Sequence, residues 1–236
     1  MEKYVIRNIE RPDAKIVEAF RDIGVSTVYE AQGRIGLMDP ALKPVAPGSA
    51  VCGPAVTVTC QSGDNLMIHA AIEVVRPGDV LVVTATGGDN LYGMIGELIV
   101  RALMKRGVAG VVIDSGIRDV RQIRELGFPV WARGVHSLGT TKSRGGWVNA
   151  PVVCGGVAVD PGDLILGDDD GVVVVKRRDV QAALEASRKR VQKEEGTMEK
   201  IGRGELSLDY YNLRQVLERE NVVYYDTVED YLARRS

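Results

Sequence analysis

The chain alternates between short apolar runs and amphipathic stretches, and the period of that alternation changes along its length. In "DAKIVEAFRDIG" (13–24), Ile16, Val17, Phe20 and Ile23 recur at helical spacing and the pattern stops at Gly24. "SAVCGPAVTVTC" (49–60) reads as strand, with Gly53-Pro54 marking a bulge or a break. "DNLMIHAAIEVV" (64–75) predicts a helix capped by Asp64 or Asn65. "DVLVVTA" is a short buried strand after the turn signal Pro77-Gly78. A glycine-rich loop, "TGGDNLYGMIG" (86–96), leads into the helix "ELIVRALMKRG" and the strand "AGVVIDSG". "DVRQIRELG" then predicts a short helix and "FPVWAR" another strand.

A loop rich in Gly, Ser, Thr and Lys (134–147) separates these elements from three β segments, "APVVCGGVAV", "DLILGDD" and "GVVVVKR". Asp160-Pro161-Gly162 and Asp170-Gly171 supply the turns between them. A long charged helix begins near Arg178, and "GTMEKIGRG" interrupts or ends it. Two further amphipathic pieces lie around 208–220 and 227–235. The alternating middle and the hairpin-like end predict one mixed α/β domain over 1–236, with two β layers flanked by helices and a helical tail from about 178. A doubly wound nucleotide fold competes poorly, because no G-x-G-x-x-G opens a helix after a strand and no G-K-[ST] is present.

Composition narrows the functional classes. With 45% hydrophobic and 26% charged residues, the 236-residue chain has the make-up of an ordinary globular protein. A formal charge of −2 gives no electrostatic reason to expect nucleic acid or an anionic membrane as partner. No apolar run approaches the roughly 20 residues of a membrane span. "MEKYVIRNIERPD" lacks a signal-peptide core, so the expected location is cytoplasmic. Cys52, Cys60 and Cys154 form no C-x-x-C pair, which favours buried free thiols over zinc or disulfides. With His69 and His136 the only histidines, a metal here would rest on carboxylates, which favours a hard cation such as Mg²⁺ or Mn²⁺.

The stretch "VVIDSGIRDV" (111–120) begins as a buried strand, is expected to turn at Gly116, and places Arg118 beside Asp119. The helix from Glu97 travels roughly 16 Å, and the strand that follows returns about 20 Å. Glu97, Arg118 and Asp119 are therefore expected to converge at one end of the sheet. The first helical turn also carries unpaired amides around Leu98 and Ile99 that favour an anion. Two acids can hold a divalent cation directly or through its waters. Arg118 and the amides can hold a carboxylate, and the whole set suits a 2-oxo acid. A helix-start glutamate beside a surface ion pair is the plainer account of the same residues.

The spacing from Glu97 to Arg118-Asp119, with "GDNLMIHAA", "GELI", "DSGIRDV", "FPVW" and "PGDLILGDDDGVVVV", closely resembles the RraA-like class II pyruvate aldolases. Within them it is most similar to the 4-hydroxy-4-methyl-2-oxoglutarate / 4-carboxy-4-hydroxy-2-oxoadipate aldolases. The resemblance extends over nearly the whole chain. It implies an α-β-β-α sandwich and a homohexamer built from trimers, with active sites at subunit interfaces to which the tail contributes. It implies Asp119 as the direct ligand of Mg²⁺ or Mn²⁺, Glu97 as holder of metal-bound water, and Arg118 as the contact to the pyruvyl group. Gly96 and the amides of Leu98 and Ile99 would bind the substrate carboxylate. A glutamate from the neighbouring subunit falls on Glu194, with Glu195 adjacent. The implied reaction is retro-aldol cleavage to pyruvate plus oxaloacetate or a second pyruvate, with oxaloacetate decarboxylation as a side activity.

Other polar residues have plainer assignments. Asn65 and His69 are expected in capping or core roles. Lys142 and Arg144, in "TTKSRGG", are ordinary solvated loop residues unless they meet distal carboxylates of the substrate. "GDDDG" (167–171) fits a tight hairpin turn better than a metal site. Two other readings stay open: a metal-free regulator that binds an endoribonuclease, since such inhibitors share the superfamily, and a decarboxylase acting on another oxo acid.

Overall fold

The computed structural model describes residues 2–87 and 92–235, so Gly88, Asp89, Asn90 and Leu91 of the glycine-rich loop lie outside the described residues. The chain divides into two units, Met1–Arg190 and Val191–Ser236. The first opens with β1 (Tyr4–Val5), α1 (Ala14–Phe20), α2 (Val25–Ala31) and β2 (Lys43–Pro44). Its centre comprises β3 (Val51–Gln61), α3 (Leu66–Val74), β4 (Val80–Thr86), β5 (Gly93–Ile95), α4 (Glu97–Lys105), β6 (Gly110–Ile117), α5 (Val120–Glu125) and β7 (Val130–Val135). There follow β8 (Trp147–Val148), β9 (Val152–Cys154), β10 (Val157–Val159), β11 (Leu164–Asp168) and β12 (Gly171–Val175). Helix α6 (Val180–Gly202) spans the division, and α7 (Ser207–Tyr210), α8 (Arg214–Arg219) and α9 (Val228–Ala233) belong to the second unit.

Four neighbouring strands, β3-β4-β6-β7, run parallel at the centre of the main sheet. Their sequences are nearly continuous apolar runs because both faces are covered. The two-residue period sorts each side chain to a face. In β4, Leu81 and Val83 join Ile68 and Ala71 of α3 and Val100 and Leu103 of α4, whereas Val80 and Val82 join Trp131, Ile165 and Val174. All four β4 residues are fully buried, and burial of each stabilises by roughly 1.5–3 kcal/mol. The β11–β12 hairpin repeats the logic. Ile165, Val172 and Val174 face the main sheet, and Leu164, Leu166, Val173 and Val175 face α1, α2 and α6. The layers are thus α-β-β-α.

Several local expectations are corrected. Strand β3 does not break at Gly53-Pro54; it changes partner there. Val51–Pro54 pair antiparallel with β11, and Ala55–Gln61 pair parallel with β4. A Cβ on Gly53 would sit 2.1 Å from the Gly78 carbonyl oxygen, so only glycine permits the approach. The chain does not turn at Gly116: β6 continues to Ile117, with a register shift against β7 between Ile113 and Gly116. The segment 150–159 is two strands, β9 and β10, reversing at Gly155-Gly156, both at positive φ. Helix α2 was not expected; its first amide, Val25 N–H, donates to Asp168 at 2.8 Å. Helix α6 runs through Gly196 and ends at Gly202, since one glycine within a helix costs only about 1 kcal/mol. The final segment forms three short helices rather than two pieces.

Candidate functional site

Glu97, Arg118 and Asp119 do meet. Strand β5 lies parallel to the end of β6, with Gly93 opposite Gly116 and Ile95 opposite Ile117. Arg118 N–H donates to the Ile95 carbonyl at 2.9 Å, which sets the Arg118-Asp119 pair against Gly96-Glu97. Asp119 starts α5 in the left-handed region (φ 57°, ψ 37°), a conformation rare outside glycine and best tolerated by Asn and Asp. Its side chain leaves its own helix and accepts the Glu97 N–H at 3.0 Å, capping α4 instead. Arg118 Nε lies 3.9 Å from the same carboxylate oxygen. A Cβ on Gly96 would fall 2.3 Å from Asp119 Oδ2 and 3.2 Å from Arg118 Cγ, so the absent side chain lets the two charged groups close on the helix start.

The first turn of α4 leaves the amides of Leu98 and Ile99 without acceptors among the described residues. Leu98 is 82% exposed, whereas Ile99 is buried. The Glu97 carboxylate takes a different course from its backbone: Oε1 accepts from Arg101 Nε at 2.8 Å, one turn along the helix. Gly96, Leu98, Ile99, Arg118 and Asp119 line a cavity of about 120 Å³. Glu194 and Glu195 fall in the second unit on α6, Glu194 half-buried and Glu195 exposed.

The rest of that cavity is formed by residues given other roles above. Asn65, His69 and Lys142 line it too. Asn65 occupies the N-cap position of α3 but its side chain does not cap. Its Nδ2 donates to the Met94 carbonyl at 3.0 Å, and its buried Oδ1 has no partner among the described residues. Asp64 does the capping, accepting Leu66 N–H at 3.0 Å. The other oxygen of Asp64 accepts from Thr141 Oγ1 at 2.6 Å, Ser143 N–H at 2.7 Å and Arg144 N–H at 3.0 Å. Burial opposes the Asp64 charge, but the hydrogen bonds from Ser143, Thr141, Leu66 and Arg144 outweigh it and hold the carboxyl well below the usual range. Desolvation, and then the Lys142 charge, keep His69 below the ordinary imidazole value. Arg144 is turned away and donates to the Ser62 carbonyl. A 76-residue gap in sequence separates Asn65 from Thr141, and no spacing rule in the chain links them.

Other candidates resolve into structure. Asp168 and Asp169 of "GDDDG" accept backbone N–H groups of Val25, Asp170 and Gly48 around the β11–β12 turn. Burial pushes the Cys52 and Cys60 thiols up to about 12, leaving them inert as nucleophiles. A larger cavity, about 600 Å³, lies in the first unit among Ala31, Val157, Val174 and Ala183. Its lysine, Lys176, is already paired with Asp160 and Asp163. The smaller cavity therefore holds the convergent chemistry.

A sequence model of the RraA-like family, described as Aldolase/RraA, matches residues 14–174. A protein of Halalkalibacterium halodurans with the provisional name 4-hydroxy-4-methyl-2-oxoglutarate aldolase is 34% identical over 182 residues, 77% of this chain and 86% of that one. Among solved structures, Streptomyces coelicolor RraAS2, described as an unusual member of the RNase ES inhibitor RraA protein family, is 33% identical with a TM-score of 0.72. That likeness covers 81% of this chain and 99% of the other. The RNA-processing inhibitor RraA from Thermus shares the fold, with a TM-score of 0.60 at 24% identity over 65% of this chain and 93% of that one. Among the described residues no helix is long and apolar enough to cross a membrane.

Proposed function

Because the chain belongs to the RraA-like family, we propose that its site performs divalent-cation-dependent retro-aldol cleavage of 4-hydroxy-2-oxo acids. The candidates are 4-carboxy-4-hydroxy-2-oxoadipate and 4-hydroxy-4-methyl-2-oxoglutarate. The supporting observation is the meeting of the Asp119 carboxylate and the Arg118 side chain at the start of α4, beside two unpaired amides. The provisional aldolase name of the Halalkalibacterium relative points the same way.

The donor set fits a hard cation. No group of three or more His, Cys, Asp or Glu that could hold a metal occurs among the described residues, so an all-protein cage is absent. Asp119 offers Oδ1, which has no hydrogen-bond partner among the described residues. Mg²⁺ and Mn²⁺ accept such sites, taking one or two carboxylates and completing the shell with water and substrate oxygens. Asp119 would hold the ion, and Glu97 would hold its water shell once its carboxylate swings out of the pair with Arg101. When bound, the cation would polarise the 2-oxo group and stabilise negative charge on the adjacent oxygen.

The chain's own groups account for the rest. The amides of Leu98 and Ile99 bind the C1 carboxylate, aided by the positive end of the α4 dipole. A water held by Glu97 takes the C4 hydroxyl proton. The C3–C4 bond breaks, C4 becomes a carbonyl, and the bonding electrons pass into a pyruvate enolate. Arg118 donates to the enolate oxygen, a stabilisation set in place before the reaction. Proton return to C3 yields pyruvate; the other product is oxaloacetate or a second pyruvate. Oxaloacetate decarboxylation would pass through the same enolate. Glu194, from a neighbouring copy, completes the pocket in this reading.

A pyruvate-release screen across 4-hydroxy-2-oxo acids and oxaloacetate, with and without Mg²⁺ or Mn²⁺, tests the proposal. Cation-dependent cleavage is the expected result. Turnover of oxaloacetate alone would replace the aldolase with a decarboxylase. The likeness to RraAS2 favours a second reading, a protein-binding regulator of an endoribonuclease. Capture of a purified endoribonuclease by a chain that releases no pyruvate would establish that reading instead.

A further inference from the structure

The two acids at the start of α4 stand in different states. Asp119 lines the cavity; its Oδ2 accepts the Glu97 N–H, and its Oδ1 has no partner among the described residues. Glu97 has its backbone at the same helix start, yet it does not line the cavity. Its Oε1 accepts Arg101 Nε at 2.8 Å, and Oε2 has no partner among the described residues. Arg101 is committed in turn. Glu97 is the only side chain it pairs with among the described residues.

The geometry of the helix says which group moves. Helical side chains lean toward the N-terminus of their helix, so Arg101 reaches back one turn to meet Glu97. A Glu97 side chain released from Arg101 leans the same way, off the end of α4 and toward Asp119. The Glu97 side chain is 30% exposed and that of Arg101 56%, so the change is a surface rotamer flip and needs no backbone movement.

Charge says when it moves. With no ion present, a Glu97 carboxylate beside Asp119 would set two negative charges side by side. Pairing with Arg101 removes that conflict. The pair is a weak one, because an exposed Glu–Arg contact at i,i+4 is screened by water. It is enough to hold a carboxylate for which nothing competes. A hydrated divalent cation presents twice the charge of a guanidinium and outcompetes it.

We propose that Arg101 is a positioning residue acting through Glu97: it holds the Glu97 carboxylate away from the empty site and yields it when a divalent cation binds at Asp119. This rests on the cation-dependent reading of the site and adds an exchange of partners to it. Cation binding then includes the breaking of the Glu97–Arg101 pair, so Arg101 lowers the apparent affinity by what that pair is worth. Asp119 needs no such exchange, since Oδ1 is free while Oδ2 keeps the Glu97 N–H.

The test is a calorimetric titration of the intact chain with Mn²⁺ alone. Arg101→Met keeps a good helix former at an exposed position, so the fold is retained. It should bind Mn²⁺ about two- to fivefold more tightly than the wild type, the worth of an exposed ion pair. Arg101→Lys still offers Glu97 a partner and should return the affinity to near the wild-type value. In a Glu97→Gln background, Arg101→Met should change the affinity by less than about 1.5-fold, because the pair is already gone. Tightening of equal size in both backgrounds would mean that Arg101 merely repels the ion through space, and overturns the exchange. A second readout is the Arg101 Nε–H resonance in the wild type, which should move as Mg²⁺ is added. That of Arg21, paired with Glu18 on α1 at 3.0 Å, should stay in place. An Arg101 resonance that stays put at saturating Mg²⁺ shows the pair intact beside the ion and overturns the proposal. A wild type that binds Mn²⁺, with Arg101→Met no tighter, overturns it while leaving the cation reading standing. A wild type that binds neither ion removes both.

Discussion

Gly96→Ala probes the geometry of the site directly. Gly96 has an extended backbone (φ −137°, ψ −171°) that alanine adopts freely, so the substitution adds no conformational strain. The new methyl would start 2.3 Å from Asp119 Oδ2 and 3.2 Å from Arg118 Cγ and Nε, where ordinary contact begins at 3.4 Å. Relief requires the Asp119 carboxylate to retreat, and a displacement of about 1 Å in a reacting site costs roughly 100-fold in rate. The same movement breaks the charge-assisted bond to Glu97 N–H, worth about 1.5–3 kcal/mol. A 100-fold loss in rate corresponds to about 2.7 kcal/mol of activation free energy, and the broken bond lowers the stability of the fold separately. Pyruvate release at saturating Mn²⁺ reads the rate, and thermal unfolding reads the fold. Gly134→Ala is the control, because nothing lies within 4 Å of its Cβ and it too sits beside the β6 end. A Gly96→Ala enzyme with near-normal kcat/KM would refute the claim that Asp119 and Arg118 act from their observed positions.

Three more perturbations bear on the site and its supports. Asp119→Ala should abolish cation-dependent pyruvate release and lower Mn²⁺ affinity at least tenfold, read by titration calorimetry; unaltered affinity would move the ion elsewhere. Asp64→Asn should be destabilised most at neutral pH. The folded carboxyl titrates below its unfolded value, so its contribution is complete above about pH 4 and is lost as the pH falls through the lower folded value. Urea unfolding should therefore show the gap to wild type narrowing from pH 7 to pH 3, and a gap that widens would contradict the assignment. Asp79→Ala strands Arg11, whose Nε sits 2.7 Å from a carboxylate with no solvent exposure. That loss should cost about 3–5 kcal/mol, and a fall in Tm of less than about 3 °C would show the pair to be dispensable.

Much of this architecture is legible in the sequence because two signals reinforce each other. The runs in β4 and β6 are apolar at successive positions, which marks strands covered on both faces, and α4 carries its buried Ile99, Val100 and Leu103 on one stripe. The meeting of Glu97 with Arg118-Asp119 followed from helix and strand lengths alone. Legibility failed where a long-range bond replaced a local signal. Helix α2 has no capping side chain of its own and borrows Asp168 from the β11–β12 turn, distant in sequence. Asn65 and His69 sit on an apolar-looking helix, and only the fold of the 134–147 loop reveals that they face a cavity. The Glu97 carboxylate, expected to point toward the ion, lies along its own helix against Arg101.

Strand β3 belongs to both β layers at once, with β11 along its first four residues and β4 along the remainder. Neither layer can peel away without breaking the same piece of backbone, so local opening of one is transmitted to the other. Amide hydrogen exchange should consequently find equal protection on either side of Pro54, and a chain cut there should lose both layers rather than release one.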